Sequence, residues 1–424
     1  MTTAILEGNF RKAPHHDPSF RTGRDAGGTR PYQVQGFNAR ILCALLFCLG
    51  CIRSFAAGPT PVFRAVEIDA AIQIGYGLAV ADINGDKMPD IVLVDKQAVV
   101  WYENPTWRKH IMAEKLTVLD HVCVAAQDID GDGLAEVAVG AEWNPNDTVN
   151  SGAVFYLIPP KDRTQRWEPV RLPHEPTVHR MRWVKNSSGQ YDLVVVPLHG
   201  RGNKDGNGEG VKILAYHPPA NPKDPWKTTL LDQSLHKTHN FDPVQWNSDA
   251  AQEMLVAGKE GIFLLEQGPK LTQLGGSEPG AGEIRSGKLK NGKRFIATVE
   301  PMHGNQCVIY TEPDKTEKLW RRQMIDDTLV DGHAVACGDI LKAGHDQVVV
   351  GWRAMNQRNA KVGIRLYVTK DDAGNEWTQH LIDDNTMACE DLTLADFNND
   401  GRLDIVAAGR ATKNVKIYFN ETKK

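Results

Sequence analysis

Asp90-Ile-Val-Leu-Val-Asp95 is a short aliphatic run between acidic residues, and the chain carries six variants of it. They are Glu136-Val-Ala-Val-Gly140, Asp192-Leu-Val-Val-Val-Pro197, Glu253-Met-Leu-Val-Ala-Gly258, Arg294-Phe-Ile-Ala-Thr-Val-Glu300, Gln347-Val-Val-Val-Gly-Trp352 and Asp404-Ile-Val-Ala-Ala-Gly409. A second strand follows each, commonly ending in an aromatic and a turn, as in Val99-Val-Trp-Tyr-Glu-Asn-Pro105, Ala153-Val-Phe-Tyr-Leu-Ile-Pro-Pro160 and Val415-Lys-Ile-Tyr-Phe419. A third, such as Lys109-His-Ile-Met112 or Gln379-His-Leu-Ile-Asp383, closes most units, and an alternating run such as Gly77-Leu-Ala-Val-Ala-Asp82 opens each. Helical periodicity is absent. Four short strands per unit, repeating every 45–60 residues or so, is the pattern of a propeller blade. The chain is therefore expected to be all-β, a single seven-bladed β-propeller spanning residues 62–420. The last unit ends after Phe419 without a fourth strand, while Phe63-Arg-Ala-Val-Glu-Ile-Asp69 reads as a closing strand with no blade before it. Pairing the two closes the ring and removes an open sheet edge.

The N-terminal residues are different in kind. Residues 1–40 are polar, rich in Gly and Arg, and aperiodic, and are read as an extension outside the fold. Residues 41–57 combine a basic flank at Arg40, an apolar run from Ile41 to Ile52 and the small exit residues Ala56-Ala57, which predicts a secretory signal peptide. The run is shorter than the roughly 20 apolar residues of a membrane span. An exported protein is expected, with lipid anchoring at Cys51 the less favoured alternative to simple cleavage near Ala57. Of seven cysteines, Cys123, Cys307, Cys337 and Cys389 lie beyond this segment, widely spaced, and read as buried free thiols. A net charge of −4 with 24% charged residues argues against nucleic acid as a partner.

Three first-to-second strand connections share one chemistry. They are Asp82-Ile-Asn84-Gly85-Asp86 with Asp90, Asp128-Ile-Asp130-Gly131-Asp132 with Glu136, and Asp396-Phe-Asn398-Asn399-Asp400 with Asp404. Oxygen ligands at positions 1, 3, 5 and 9 suit a hard cation, calcium or magnesium, in a structural role. The competing reading is that Asp and Asn merely cap the turn through Asx hydrogen bonds. Blade six (Asp339-Ile-Leu-Lys-Ala-Gly-His-Asp346) reads as a decayed copy, and blades three to five as having lost the pattern. These loops and their flanking strands resemble FG-GAP/VCBS repeats, a likeness that implies the propeller and the cation sites and says little about function.

About six residues upstream of each loop position stands a column of Tyr76, His121, His179, His239, Glu283, His333 and Glu390, where the innermost strands begin. His121 is one residue out of step, so a bulge is expected there. Residues just after the second strands (Lys96, Glu142, His199, Lys259, His303, Arg353 and Arg410) are expected at the same channel mouth. The column reads as polar filling of a wet mouth, as a site for zinc or another divalent transition metal, or as a metal-free acid–base pocket.

Asp120-His121, Glu142-Trp143-Asn144-Pro145, Ser151-Gly-Ala-Val-Phe155 and His174-Glu-Pro-Thr-Val-His179-Arg180 together resemble the propeller domain of aldos-2-ulose dehydratase. The resemblance implies a carbon–oxygen lyase acting on a small keto-sugar or keto-glycoside. It implies a metal on some of His121, His179, His239 and Glu390, with His179 or His333 as base. Glu283 or Tyr76 is then the acid, and Arg353 or Arg410 the substrate anchor. The alternative is a non-enzymatic, calcium-stabilised propeller that binds carbohydrate or protein.

Overall fold

The computed structural model describes residues 60–268, 270–313, 317–355 and 360–423; the extension, the signal segment and Cys51 lie outside them. Seven antiparallel sheets of four strands each make up the molecule. The innermost strands are β2 (Gly77–Ala81), β6 (Cys123–Gln127), β10 (Val178–Lys185), β14 (Thr238–Val244), β18 (Glu283–Lys288), β22 (Gly332–Gly338) and β26 (Cys389–Ala395). Each blade then runs outward in chain order. The second strands hold the recurring aliphatic runs. In β3 (Asp90–Val94), β7 (Glu136–Ala141), β15 (Glu253–Gly258), β23 (Gln347–Trp352) and β27 (Asp404–Gly409) every residue is buried. A strand covered on both faces has no polar side to alternate with, which is why these runs are continuous rather than period-two.

The ring closes as expected. β1 (Phe63–Asp69) lies antiparallel on β28 (Asn414–Asn420) as the outer strand of the seventh sheet, with Phe63 opposite Asn420 and Ala65 opposite Tyr418. Cys123, Cys307 and Cys389 are buried free thiols and Cys337 is partly buried. Two of them explain glycines in the second strands. A Cβ on Gly140 would sit 2.4 Å from Cys123 Sγ on the paired strand of its own blade, and one on Gly351 would sit 2.3 Å from Cys389 Sγ of the next blade, so neither position has room for a side chain.

Chain direction sorts the loops. Antiparallel alternation puts first-to-second strand connections on one face, and second-to-third and blade-to-blade connections on the other, where the innermost strands start. Among the described residues no helix is long and apolar enough to cross a membrane.

Candidate functional site

Four members of the predicted column are delivered to the channel mouth by β-bulges. Register shifts between Val178 and Arg180, Thr238 and Asn240, Gly332 and Ala334, and Cys389 and Asp391 leave His179, His239, His333 and Glu390 as the extra residue of their strands. A bulged residue is freed from the ladder and re-aimed, a device common beside functional sites. Glu283 reaches the same level without a bulge, opposite Val299.

The imidazoles gather on one side of the mouth. His239, His303 and His333 have ring nitrogens within 4.8 Å of one another. His239 Nε2 lies 2.8 Å from His303 Nε2. His179 packs edge-on against His239 with ring centroids 4.7 Å apart, and Trp143 stacks on His179 at 4.9 Å. Three of the rings have their tautomer set from behind. His179 Nδ1–H donates to His239 O (2.8 Å), His239 Nδ1–H to Gly282 O (3.1 Å), and His333 Nδ1–H to Glu390 O (2.6 Å). Each is thereby left with an Nε2 lone pair, the arrangement found behind metal-ligating histidines. Burial first, then the guanidinium of Arg180 beside His179 and of Arg353 beside His333, hold these two rings well below the ordinary histidine pKa. His239 is lowered by burial against an opposing pull from Glu283, and His303 by burial, His239 and Arg353. All four are therefore neutral at pH 7, the state in which an imidazole can ligate a metal.

The other side of the mouth is an ion-pair network. Glu390 accepts from Arg353 Nη1 (2.6 Å) and Arg410 Nη1 (2.9 Å), and Arg353 Nε also reaches Asp331 Oδ2 (3.1 Å). Tyr76 donates to Asp120 Oδ2 (2.9 Å), and Arg410 lies over its ring at 5.4 Å. Burial and Asp120 push the Tyr76 phenol well above its usual range.

This geometry changes five sequence assignments. His121 lies two residues ahead of β6, whose pairing with β7 begins with Cys123 opposite Gly140. His121 stays in the seam between blades one and two, fully buried, where Nε2 accepts from the Leu116 amide (3.3 Å) and its own backbone N–H donates to Lys96 O. Glu390 has its oxygens taken by two guanidiniums rather than aimed at the imidazoles. Arg353, only 12% exposed in its side chain and held between two carboxylates, is part of the wall. Glu283 is raised by burial, but the guanidiniums of Arg180 (3.7 Å away) and Arg285 beside it hold it below the ordinary carboxylate range, so it is a carboxylate with no proton to give. His303, placed by sequence on the second ring at the mouth and not among the metal candidates, belongs to the trio and sits in a turn at φ 56°. Lys96, Glu142, His199 and Lys259 stand outside the imidazole trio.

Backbone strain marks the same face. Of twelve non-glycine residues at positive φ among those described, eight lie in mouth-side connections, including Glu142, Thr177, His303 and Asp331. Such conformations persist where the surroundings enforce them, often at binding sites.

The aspartate loops lie on the opposite face and share one backbone. Positions 4 and 6 are left-handed in all three: Gly85 and Lys87, Gly131 and Gly133, Asn399 and Gly401. Position 9 accepts the N–H of position 2: Asp90 from Ile83 (2.9 Å), Glu136 from Ile129 (3.1 Å) and Asp404 from Phe397 (3.0 Å). Asp82 accepts from Gly85 and Lys87, and Asp128 from Gly131 and Gly133, so the Asx-turn bonds are present as well. Carboxylate oxygens of Asp128, Asp130 and Glu136 come within 4.8 Å of one another. Burial, with the neighbouring loop carboxylates adding to it, pushes Asp90 and Glu136 up to about 7 and Asp404 up to about 6.

Two further blades carry related turns with some of the acids replaced by amides. In blade six Gln347 stands at position 9 and accepts from Leu341 N (2.8 Å), which is position 3, one residue later than in the charged loops. Blade four, read from sequence as having lost the pattern, retains it as Gln245, Asn247, Asp249 and Glu253, with Glu253 accepting from Trp246 N (3.2 Å). There Gln245 Nε2 donates to the carbonyls of Asn247 (3.1 Å), Asp249 (2.8 Å) and Ala251 (3.0 Å). One amide nitrogen thus meets three converging oxygens at the centre of the turn. The signal was in the sequence, hidden by Gln in place of Asp at position 1.

A family model described as an FG-GAP-like repeat matches residues 75–139, the first blade and the inner strands of the second. No curated protein matches the chain. Among solved structures, the crystal structure of BBS1N in complex with ARL6DN aligns at 13% identity with a TM-score of 0.52, covering 86% of this chain and 98% of that one. The crystal structure of the Mitotic Checkpoint Complex aligns at 11% identity with a TM-score of 0.54, covering 90% and 99%. At such identities the likeness is one of fold alone.

Proposed function

We propose that this propeller is an exported lyase acting on a keto-sugar or keto-glycoside at the histidine mouth, with a divalent transition metal on His239, His303 and His333. The observation that carries this reading is the trio itself, three ring nitrogens within 4.8 Å of one another, with the Nδ1–H of His239 and of His333 committed to backbone carbonyls. Imidazole donors of this kind suit zinc and its neighbours. Bound there, the metal supplies Lewis-acid polarisation of a substrate carbonyl.

The remaining work falls to the chain's own groups. His179, neutral and with its Nε2 free, is the base that takes the proton next to the carbonyl. Trp143, stacked on His179 and half-exposed, offers a flat face for a pyranose ring. Arg410, with 41% of its side chain exposed, anchors substrate oxygens while keeping one bond to Glu390. Tyr76, held protonated, is the donor to the leaving oxygen in place of Glu283. On the opposite face, calcium sits in the loops of blades one, two and seven in a structural role. The Gln245 amide, bonded to three loop carbonyls, supports a cationic or donor centre in the charged copies.

The test combines metal analysis with turnover. Purified protein is expected to hold calcium and about one transition-metal equivalent, the latter lost in His239→Ala and His333→Ala and kept in His121→Ala. Elimination from 3-keto-glycosides, followed by enone absorbance, is expected to vanish in His179→Ala while the melting temperature stays near that of the wild type. Full turnover by His179→Ala, or a metal content indifferent to His239 and His333, would sink the assignment.

A further inference from the structure

The other half of the channel is a separate cavity of about 330 Å³, lined by Arg182, Asp242, Arg285 and Asp391 with Gln127 and Tyr191 toward the loop face. Arg182 stands three residues beyond His179, about 10 Å deeper at strand rise. None of these groups is used by the histidine mouth.

Their pairing is incomplete. Arg182 Nη1 donates to Met181 O (2.8 Å) and its guanidinium lies 5.9 Å from the Phe241 ring centroid, but among the described residues no carboxylate comes within 4.0 Å of it. Asp391 accepts from the Leu78 and Leu392 amides (2.8 and 3.0 Å) and likewise has no cation within 4.0 Å. Arg285 Nε and Asp242 Oδ1 are 3.9 Å apart, at the limit of contact. Two guanidiniums and two carboxylates thus share one cavity with spare donors and spare lone pairs. Burial, aided by Arg285 and Arg180, pulls the Arg182 pKa down to about 10, and burial pushes Asp391 up, as expected of charges left without close partners.

We propose that this cavity is a second binding site, for a small zwitterion of the α-amino acid class, with the carboxylate on Arg182 and the ammonium on Asp391. A singly charged ligand would satisfy one wall and leave the opposite charge unmatched, whereas a zwitterion is neutral as a whole and complementary at both ends. The volume lies in the range of small-molecule sites, about 300–1,000 Å³. This site is independent of the metal reading of the mouth.

Isothermal titration of the full protein with a panel of L-amino acids tests it, each compared with its carboxamide and its N-acetyl derivative. At least one amino acid is expected to bind saturably. Both single-charge derivatives, and the variants Arg182→Gln and Asp391→Asn, are expected to bind at least about tenfold more weakly, the scale of one charge-assisted hydrogen bond. His239→Ala is expected to bind normally, which separates this cavity from the mouth. Absence of binding by every amino acid overturns the proposal, as does equal binding of a single-charge derivative or loss of binding in His239→Ala. If Arg182→Gln does not fold, the derivative comparison on the wild type decides alone.

Discussion

Removing calcium is expected to make stability fall as pH rises through the weakly acidic range, and restoring it to reverse that slope. In the ion-free fold the carboxyls of Asp90, Glu136 and Asp404 are raised to about 7, 7 and 6. In the unfolded chain they return to about 4. The folded state then holds more protons between about pH 4 and pH 7, so the stability these groups contribute is fully present below about pH 4 and is lost as pH climbs through their folded pKa values. Each tenfold change in proton affinity between the folded and unfolded chain corresponds to about 1.4 kcal/mol. Because the loops face water, a discounted contribution of about 1–2 kcal/mol per loop is the realistic scale, or about 3–6 kcal/mol for three. Unfolding entropy of roughly 2.1 cal/mol/K per residue over about 360 residues converts this to a loss of about 4–8 °C in melting temperature. With calcium bound the same carboxylates are held ionised in the fold, so stability rises over that window instead. Differential scanning fluorimetry in chelator and in calcium measures both slopes. The buried histidines titrate in the opposite sense, so the comparison is made against the variant Asp90→Asn, Glu136→Gln, Asp404→Asn, which should lack both the acid-side advantage and the calcium response. Matching pH profiles for wild type and variant in chelator would refute the reasoning.

Gln245→Asp removes the amide from the blade-four turn and restores an acidic position 1, so bound calcium should rise by about one per chain in elemental analysis; an unchanged count would show that the turn does not form a fourth site. Glu390→Gln leaves Arg353 and Arg410 without their shared carboxylate, and a loss of about 3–5 kcal/mol in denaturant unfolding is expected. His121→Ala strands the Leu116 amide in the seam and should cost about 1–3 kcal/mol while leaving transition-metal content intact. Replacing Val66 and Ile68 of the closing strand by Asp should lower the melting temperature and promote association, visible in size-exclusion chromatography, by weakening β1 on the last sheet.

Whatever is written within one repeat could be read from the chain alone. The buried second strands announce themselves as uninterrupted aliphatic runs, and seven of them in register with their turns leave no other architecture. The missing fourth strand at Phe419 and the spare one at Phe63 identify the closure, because an unpaired edge needs a partner. The aspartate loops are equally local, nine residues whose spacing carries the chemistry; blade four escaped only because Gln245 replaces the leading acid. The channel mouth is not local. For four of the column residues, placement at the mouth depends on a bulge of one residue, which flips the side-chain direction and leaves no trace in composition. His239 and His333 stand at such bulges and belong to the site, whereas His121, ahead of β6, is held in the seam between blades one and two. The partners lie 30 to 64 residues apart, His239 with His303 and His303 with His333, and meet only because the blades converge on one axis. The proton states of His179 and Glu283 follow from that convergence: burial and neighbouring guanidiniums decide them, and both are products of the closed ring.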